Sequence, residues 1–172
     1  MTITINGESQ SGCLAALYYL MAAGGSASLY REVIEPRVTP VGAMTAVIEG
    51  LADVAPIDAY AFSLAQQYMP ELTSQLRTVA RTPPTVIPPI VSSRPGQPSL
   101  ESAFLEAHKN ASMAALMADL QLERFVRPDP EAYNVLKRRF DAAITFWRQH
   151  PFACTVHPAF AELATGPLPG TK

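Results

Sequence analysis

The chain has 172 residues, of which 48% are hydrophobic and 16% charged, and its formal net charge is −2. This composition excludes a disordered segment, and the length fits one domain or a small domain with an appendage. The balance of charges lacks the basic excess of a nucleic-acid-binding protein. The longest apolar run falls short of the ~20 residues that a membrane-spanning helix needs, so no membrane insertion is expected.

The two cysteines, Cys13 and Cys154, lie far apart in the sequence. Whether they form a disulfide or remain two separate thiols depends on the fold, and the sequence leaves both possibilities open. The N-terminal residues MTITINGESQ lack the basic and then apolar pattern of a signal peptide. If the chain is complete as written, it is expected to stay in the cytoplasm.

The first half of the chain alternates between strand-like and helix-like patterns. The predicted elements, in chain order, are a strand over residues 2–6, a helix over 13–23, a weak strand over 37–41, a helix over 43–50, a strand over 53–57, a helix over 59–68 and a strand over 76–80. This alternation predicts an α/β fold with a parallel or mixed sheet covered on both faces. Ligands of such sheets bind at the carboxyl ends of strands, so the turns after Asn6 and Ile57 are the candidate regions.

The character of the chain changes at Arg81. Residues 82–89 contain four of the 16 prolines, and they predict an extended connector because proline donates no backbone hydrogen bond. A short strand is predicted over residues 90–93. A long helix capped by Ser99 is predicted over residues 99–120.

A second C-terminal helix is predicted to start after Asp129, with Pro130 in its first turn. It carries an apolar stripe from Tyr133 to Trp147 at the three- and four-residue spacing of an amphipathic helix. The proline-rich tail after His150 predicts irregular structure.

Four segments of the chain together resemble one protein family. ITINGESQSGCLAALYYL is similar to the strand, polar turn and helix that open the second lobe of phosphonate/phosphate-type solute-binding proteins of ABC importers. AMTAVIEGLADVAPIDAYAFSL resembles the next helix, Asp-Val-Ala, Ile-Asp and helix of these proteins. LRTVARTPPTVIPPIVSSR resembles their Pro-rich hinge, and LERFVRPDPEAYNVL their tail. The resemblance covers roughly residues 2–140.

The resemblance implies a type II periplasmic-binding-protein-like lobe with a flanked central sheet, followed by C-terminal helices. Its domains would be a second-lobe ligand-binding domain at residues 1–81, a Pro-rich hinge and return strand at 82–98, a helical pair at 99–150 and an irregular tail at 151–172. The first lobe is expected to be absent, which leaves half of the ligand cleft. The family further implies a periplasmic location, an ABC permease as partner and no enzymatic activity.

Seven residues at the predicted strand ends are candidates for binding a small anionic solute, such as a phosphonate or phosphate ester. They are Ser9, Gln10, Ser11, Gly12, Thr39, Asp58 and Tyr60. Residues 9–12 precede a helix, whose first N–H groups are unpaired and favour anions. The residues alone also fit a simpler role, in which Ser9 or Ser11 caps the helix; the resemblance assigns the segment to the anionic group.

Asp58 follows a predicted strand and, by resemblance, accepts a hydrogen bond from the ligand or pairs with its cationic part. It is equally a candidate N-cap for the next helix. Tyr60 is expected either to pack on the ligand or to belong to the core. Thr39 stands where relatives place a hydroxyl beside a histidine, but Pro40 occupies the histidine position here, which puts the phosphonate specificity in doubt.

Further hypotheses remain open beside ligand binding. The C-terminal stripe must fold back onto the lobe or meet a second copy, and a homodimer through these helices is predicted because a large exposed apolar patch is rare in monomers. A truncated relative that has lost ligand binding is an alternative. A small α/β enzyme is disfavoured because the three histidines lie in the C-terminal part. No cofactor or metal is expected, since Cys154 and His157 supply only two ligands.

Overall fold

The computed structural model describes residues 2–4, 9–23, 32–34, 39–94, 96–149 and 155–156. The backbone separates into two compact units. The first unit consists of Met1–Pro84 and Val135–Lys172, and the second of Thr85–Asn134. The predicted division at residues 81, 98 and 150 stays a prediction.

The first unit contains a short parallel sheet. Its strands β1 (Thr2–Thr4), β2 (Glu32–Ile34) and β3 (Thr155–Val156) are hydrogen-bonded in the order β1-β2-β3. On the other edge of β1, Ile3 forms a parallel bridge with Val54. The predicted strand over residues 53–57 is therefore reduced to one bridge. These short strands do not show the expected central sheet flanked by helices.

Within its described residues, the first unit has five helices. They are α1 (Ala15–Ala22), which follows a π-helical turn at Gln10–Leu14, α2 (Pro40–Ile48), α3 (Ala59–Tyr68), α4 (Pro70–Thr73) and the part of α7 (Pro130–Gln149) from Val135 onward. The prediction of α3 is confirmed over its whole length. The weak strand predicted over residues 37–41 is wrong for residues 40 and 41, which open α2; residues 37 and 38 lie outside the described residues. Pro40 explains this, because its fixed φ suits the first turn of a helix.

A buried cluster joins the two ends of the chain in the first unit. It consists of Ile3, Cys13, Leu17, Ala143 and Trp147, all at most 5% exposed. The indole Nε1 of Trp147 donates a hydrogen bond to the carbonyl of Leu17 at 3.1 Å, 130 positions away in sequence. The buried part of the C-terminal stripe thus folds back onto the lobe. Because Trp147 is buried within one chain, it gives the homodimer no support. The homodimer stays a prediction.

The second unit is built from short helices beside an extended segment. It contains α5 (Pro98–Glu106), two 3-10 turns (Ala107–Lys109 and Ala111–Met113), α6 (Ala114–Asp119) and the first residues of α7. The rings of Phe104 and Phe125 pack edge to face with centroids 5.2 Å apart. The Tyr133 hydroxyl donates to the carbonyl of Ile87 at 2.9 Å, which ties the extended segment to α7.

Four sequence predictions about residues 76–120 are wrong. No strand forms over residues 76–80 or 90–93, where the neighbouring prolines remove donors that a sheet would need. The predicted helix over residues 99–120 is interrupted at Asn110, whose Oδ1 accepts a hydrogen bond from Ser112 N–H at 3.0 Å. Gln97, not Ser99, is the N-cap of α5 and makes no side-chain cap. Within the described residues, none of the helices has the length and apolarity to cross a membrane.

Replacing Trp147 with Ala is expected to destabilise the first unit by about 3–5 kcal/mol, because it removes a buried aromatic ring and its hydrogen bond to Leu17. Urea unfolding followed by circular dichroism measures the effect. Gln149→Ala, an exposed change on the same helix, is the control and should stay within about 0.5 kcal/mol of the wild type. Equal stability of Trp147→Ala and the wild type would contradict the buried cluster.

Candidate ligand-binding site

Three helices of the first unit begin shortly after parallel strand segments. Ser9 and Thr39 each lie five residues after the ends of β1 and β2, and Asp58 lies four residues after Val54. Parallel strands end at the same edge of a sheet, here called the carboxyl edge. Because Val54 and β2 flank β1 on opposite sides, the strand segments that precede Asp58, Ser9 and Thr39 are paired in that order.

Ser9 organises the turn before α1. Its hydroxyl Oγ accepts a hydrogen bond from Gly12 N–H at 3.1 Å. Its carbonyl accepts from the N–H groups of both Cys13 and Leu14, each at 3.1 Å, and the bond to Leu14 has the five-residue span of a π-helix. The Oγ of Ser9 therefore pairs one of the donors that a helix N-terminus leaves unpaired, and its carbonyl accepts the first backbone hydrogen bonds of the helix.

The N–H groups of Gln10 and Ser11 are the remaining donors of this turn. Within the described part of the chain, neither has an acceptor. Ser11 is half-buried and its hydroxyl caps nothing there, whereas Gly12 is buried; the side chain of Gln10 lies outside the described residues. Ser9 thus has the capping role, and the two N–H groups beside it match the chemistry of an anion cradle.

Thr39 is the N-cap of α2, with its Oγ1 accepting a hydrogen bond from Gly42 N–H at 3.0 Å. Sequence reasoning missed this role because it placed Thr39 in a strand. The signal was present as Thr followed by Pro, since threonine caps helices and proline favours the first helical position. Thr39 is exposed, and its hydroxyl hydrogen is not required by the cap.

Asp58 is the N-cap of α3, as one of its two predicted roles required. Its Oδ1 accepts a hydrogen bond from Ala61 N–H at 2.9 Å, and the residue is half-buried. The cap engages one carboxylate oxygen, so Oδ2 can still accept from a ligand. Tyr60 lies in the first turn of α3 and is 38% exposed; its packing on a ligand stays a prediction.

Cys13 lies in the turn that Ser9 begins and is a free, fully buried thiol. Burial raises the pKa of this thiol to about 12, because the thiolate would lose its hydration. Cys13 is therefore a core residue rather than a nucleophile. Cys154 and His157 lie outside the described residues, and the rest of the chain that the structure describes holds no metal-binding group of three or more His, Cys, Asp or Glu side chains.

Comparison with protein-family models gives a match over residues 2–133, to the family described as ABC transporter, phosphonate, periplasmic substrate-binding protein. The chain belongs to this family. The match includes all seven candidate residues and ends before the part of α7 that carries Ala143 and Trp147. No curated protein matches the chain significantly. Members of this substrate-binding family serve periplasmic transport and are not enzymes, so the coarse role agrees with the resemblance seen in the sequence.

Replacing Asp58 with Ala is expected to destabilise the protein by about 1 kcal/mol, because Ala61 N–H loses its acceptor. Asp58→Asn retains an oxygen acceptor and should cost only a few tenths of a kcal/mol. Urea unfolding of both variants measures the difference. Equal destabilisation by Asn and Ala would show that the cap is not what Asp58 supplies to folding.

The Cys13 thiol is expected to resist alkylation at about pH 8 in the native protein and to react on unfolding. A Cys154→Ser background leaves Cys13 as the sole thiol, and mass spectrometry measures its modification.

The contribution of the Cys13 thiol to the free energy of unfolding also has a defined sign. The unfolded thiol loses its proton near its ordinary pKa of 9.0, whereas the folded one keeps it to about 12, so stability falls as the pH rises through this window.

Comparing wild type with Cys13→Ala isolates the contribution of Cys13 from that of other titrating groups. The free energy of unfolding should decline more steeply with pH above about 9 in the wild type than in Cys13→Ala. Parallel curves for the two proteins would contradict the burial of the thiol.

Proposed function

We propose that the chain is the solute-binding component of an ABC-type importer and binds a small anionic ligand, such as a phosphonate or phosphate ester, at the carboxyl edge. The observation that carries this proposal is that three side-chain caps, at Asp58, Ser9 and Thr39, each follow one of three neighbouring parallel strand segments. Membership of the substrate-binding family supports it.

The central position of Ser9 suits the anionic group. Two N–H groups, those of Gln10 and Ser11, and the Ser11 hydroxyl supply neutral donors there, and the helix dipole adds partial positive charge. Thr39 supplies a further hydroxyl on one side. The seven candidate residues contain no Lys or Arg, so the anion would be held by dipoles and hydrogen bonds rather than by ion pairs.

Asp58 gives the site its second end. A carboxylate repels an anion but stabilises a cation or accepts from a hydroxyl group. Its place after the strand segment that neighbours β1 therefore favours a ligand with an anionic group and an amino or hydroxyl group, such as an aminoalkylphosphonate. Tyr60, two positions further along, would cover the carbon chain between them.

Calorimetric titration with 2-aminoethylphosphonate, methylphosphonate and inorganic phosphate tests the proposal. The aminophosphonate is expected to bind more tightly than methylphosphonate, because only the former carries a cation for Asp58. Asp58→Asn should weaken the aminophosphonate by about tenfold or more, and leave methylphosphonate unchanged or slightly tighter. Millimolar or weaker affinity for all three ligands would favour the alternative of a relative that has lost ligand binding.

Ser11→Ala separates ligand binding from helix capping. The Ser11 hydroxyl caps nothing within the described residues, so this variant should lose affinity by about fivefold while unfolding at the same urea concentration as the wild type. Ser9→Ala is the matched comparison, and it should lose stability as well, because Gly12 N–H loses its acceptor. Unchanged affinity in Ser11→Ala would argue against the cradle.

Other features of the proposal follow from the family. An ABC permease would be the partner, and the periplasm the compartment. The homodimer through the C-terminal helices also belongs to the proposal. Light scattering of the purified chain distinguishes a dimer from a monomer.

A further inference from the structure

We infer that Trp147, which lies beyond the residues matched by the family, positions the Ser9 turn for its ligand. The ligand part of this inference rests on the proposed function. Trp147 is 3% exposed, and its indole donates a buried hydrogen bond to Leu17, inside the helix that the Ser9 turn begins. No atom of Trp147 is required to touch the ligand, so it acts as a positioning residue.

Because Leu17 lies in α1, this hydrogen bond restrains α1 directly. A carbonyl within a helix is accessible to a second donor only from one side, so the indole fixes the rotation of α1 about its axis as well as its distance. Rotation of α1 turns the N–H groups at its start with it. The direction of the Gln10 and Ser11 donors is thereby coupled to the side chain of Trp147 on the C-terminal helix α7.

Two further contacts made by α7, the helix of Trp147, restrain α1 and the turn before it. The guanidinium of Arg139 lies over the ring of Tyr18 in α1, at 5.5 Å from its centroid. Trp147 packs in one cluster with Cys13, in the Ser9 turn, and with Ile3, in the strand that precedes it. The strand, the turn and the helix around the cradle therefore share a single support.

The ring of Phe146 packs edge to face on the ring of Trp147, with centroids 5.0 Å apart. An aromatic ring held by such a neighbour keeps one orientation of its N–H. Trp147→Phe is accordingly the sharpest test, because phenylalanine retains most of the apolar packing but has no donor for Leu17. Ile144→Val is the matched control, since Ile144 is buried on α7 but is not part of the cluster.

Hydrogen exchange read by mass spectrometry tests the positioning without a ligand. In Trp147→Phe, amides of residues 9–22 should exchange about fivefold faster or more, as expected for a lost buried hydrogen bond, while amides of α3 remain at the wild-type rate. Ile144→Val should not single out residues 9–22. Equal acceleration in both regions, or none in residues 9–22, would overturn the inference.

Calorimetry with the phosphonate that binds the wild type most tightly tests the consequence for binding. Trp147→Phe should lower the affinity by about threefold or more relative to Ile144→Val, because the donors of Gln10 and Ser11 are less well ordered before binding. Equal affinities of the two variants would overturn the inference. If the wild type binds none of the phosphonates, the proposed function fails, and the exchange experiment still decides whether Trp147 positions the turn.

Discussion

The hydrogen bond from Trp147 to Leu17, with the apolar cluster around it, is the constraint on which the first unit depends. The described strands are only two or three residues long, and such strands bury too little surface to hold a sheet together alone. The cluster adds an aromatic ring, a buried thiol and two aliphatic side chains around Ile3 of β1. Burial of these groups accounts for the order of β1 and α1 better than backbone pairing does.

The place of Cys13 in this cluster explains why its surroundings differ from those of Ser9 in the same turn. Cys13 and Ser9 are joined by a backbone hydrogen bond, yet Cys13 is fully buried and Ser9 is half-buried. The turn therefore has an apolar underside and a polar rim. Such a turn can order backbone donors for a ligand while its thiol stays buried.

Local rules predicted the parts of the fold that depend on neighbouring residues. The bounds of α3, its cap at Asp58 and the start of α7 after Asp129 followed from capping and proline preferences, and the structure confirms them. The region of Thr39 shows where such local reasoning fails. Its β-branched residues, among them Val38 and Val41, suggested a strand, but Pro40 opens a helix. The break at Asn110 also depended on a local side-chain hydrogen bond that competes with the helix.

Non-local features needed the structure. The stripe on α7 required an apolar partner, but its sequence is equally compatible with a second chain and with α1, and only the contact with Leu17 decides for Trp147. The order of the three strand segments that precede the caps likewise depends on the pairing of β1 with β2 and with Val54. The charges at these helix starts differ: Asp58 opposes the positive end of α3, whereas the π-helical turn before α1 has the neutral Ser9 as its cap. In the proposed function, the anionic group of a ligand is therefore favoured at the Ser9 turn and its cationic group at Asp58.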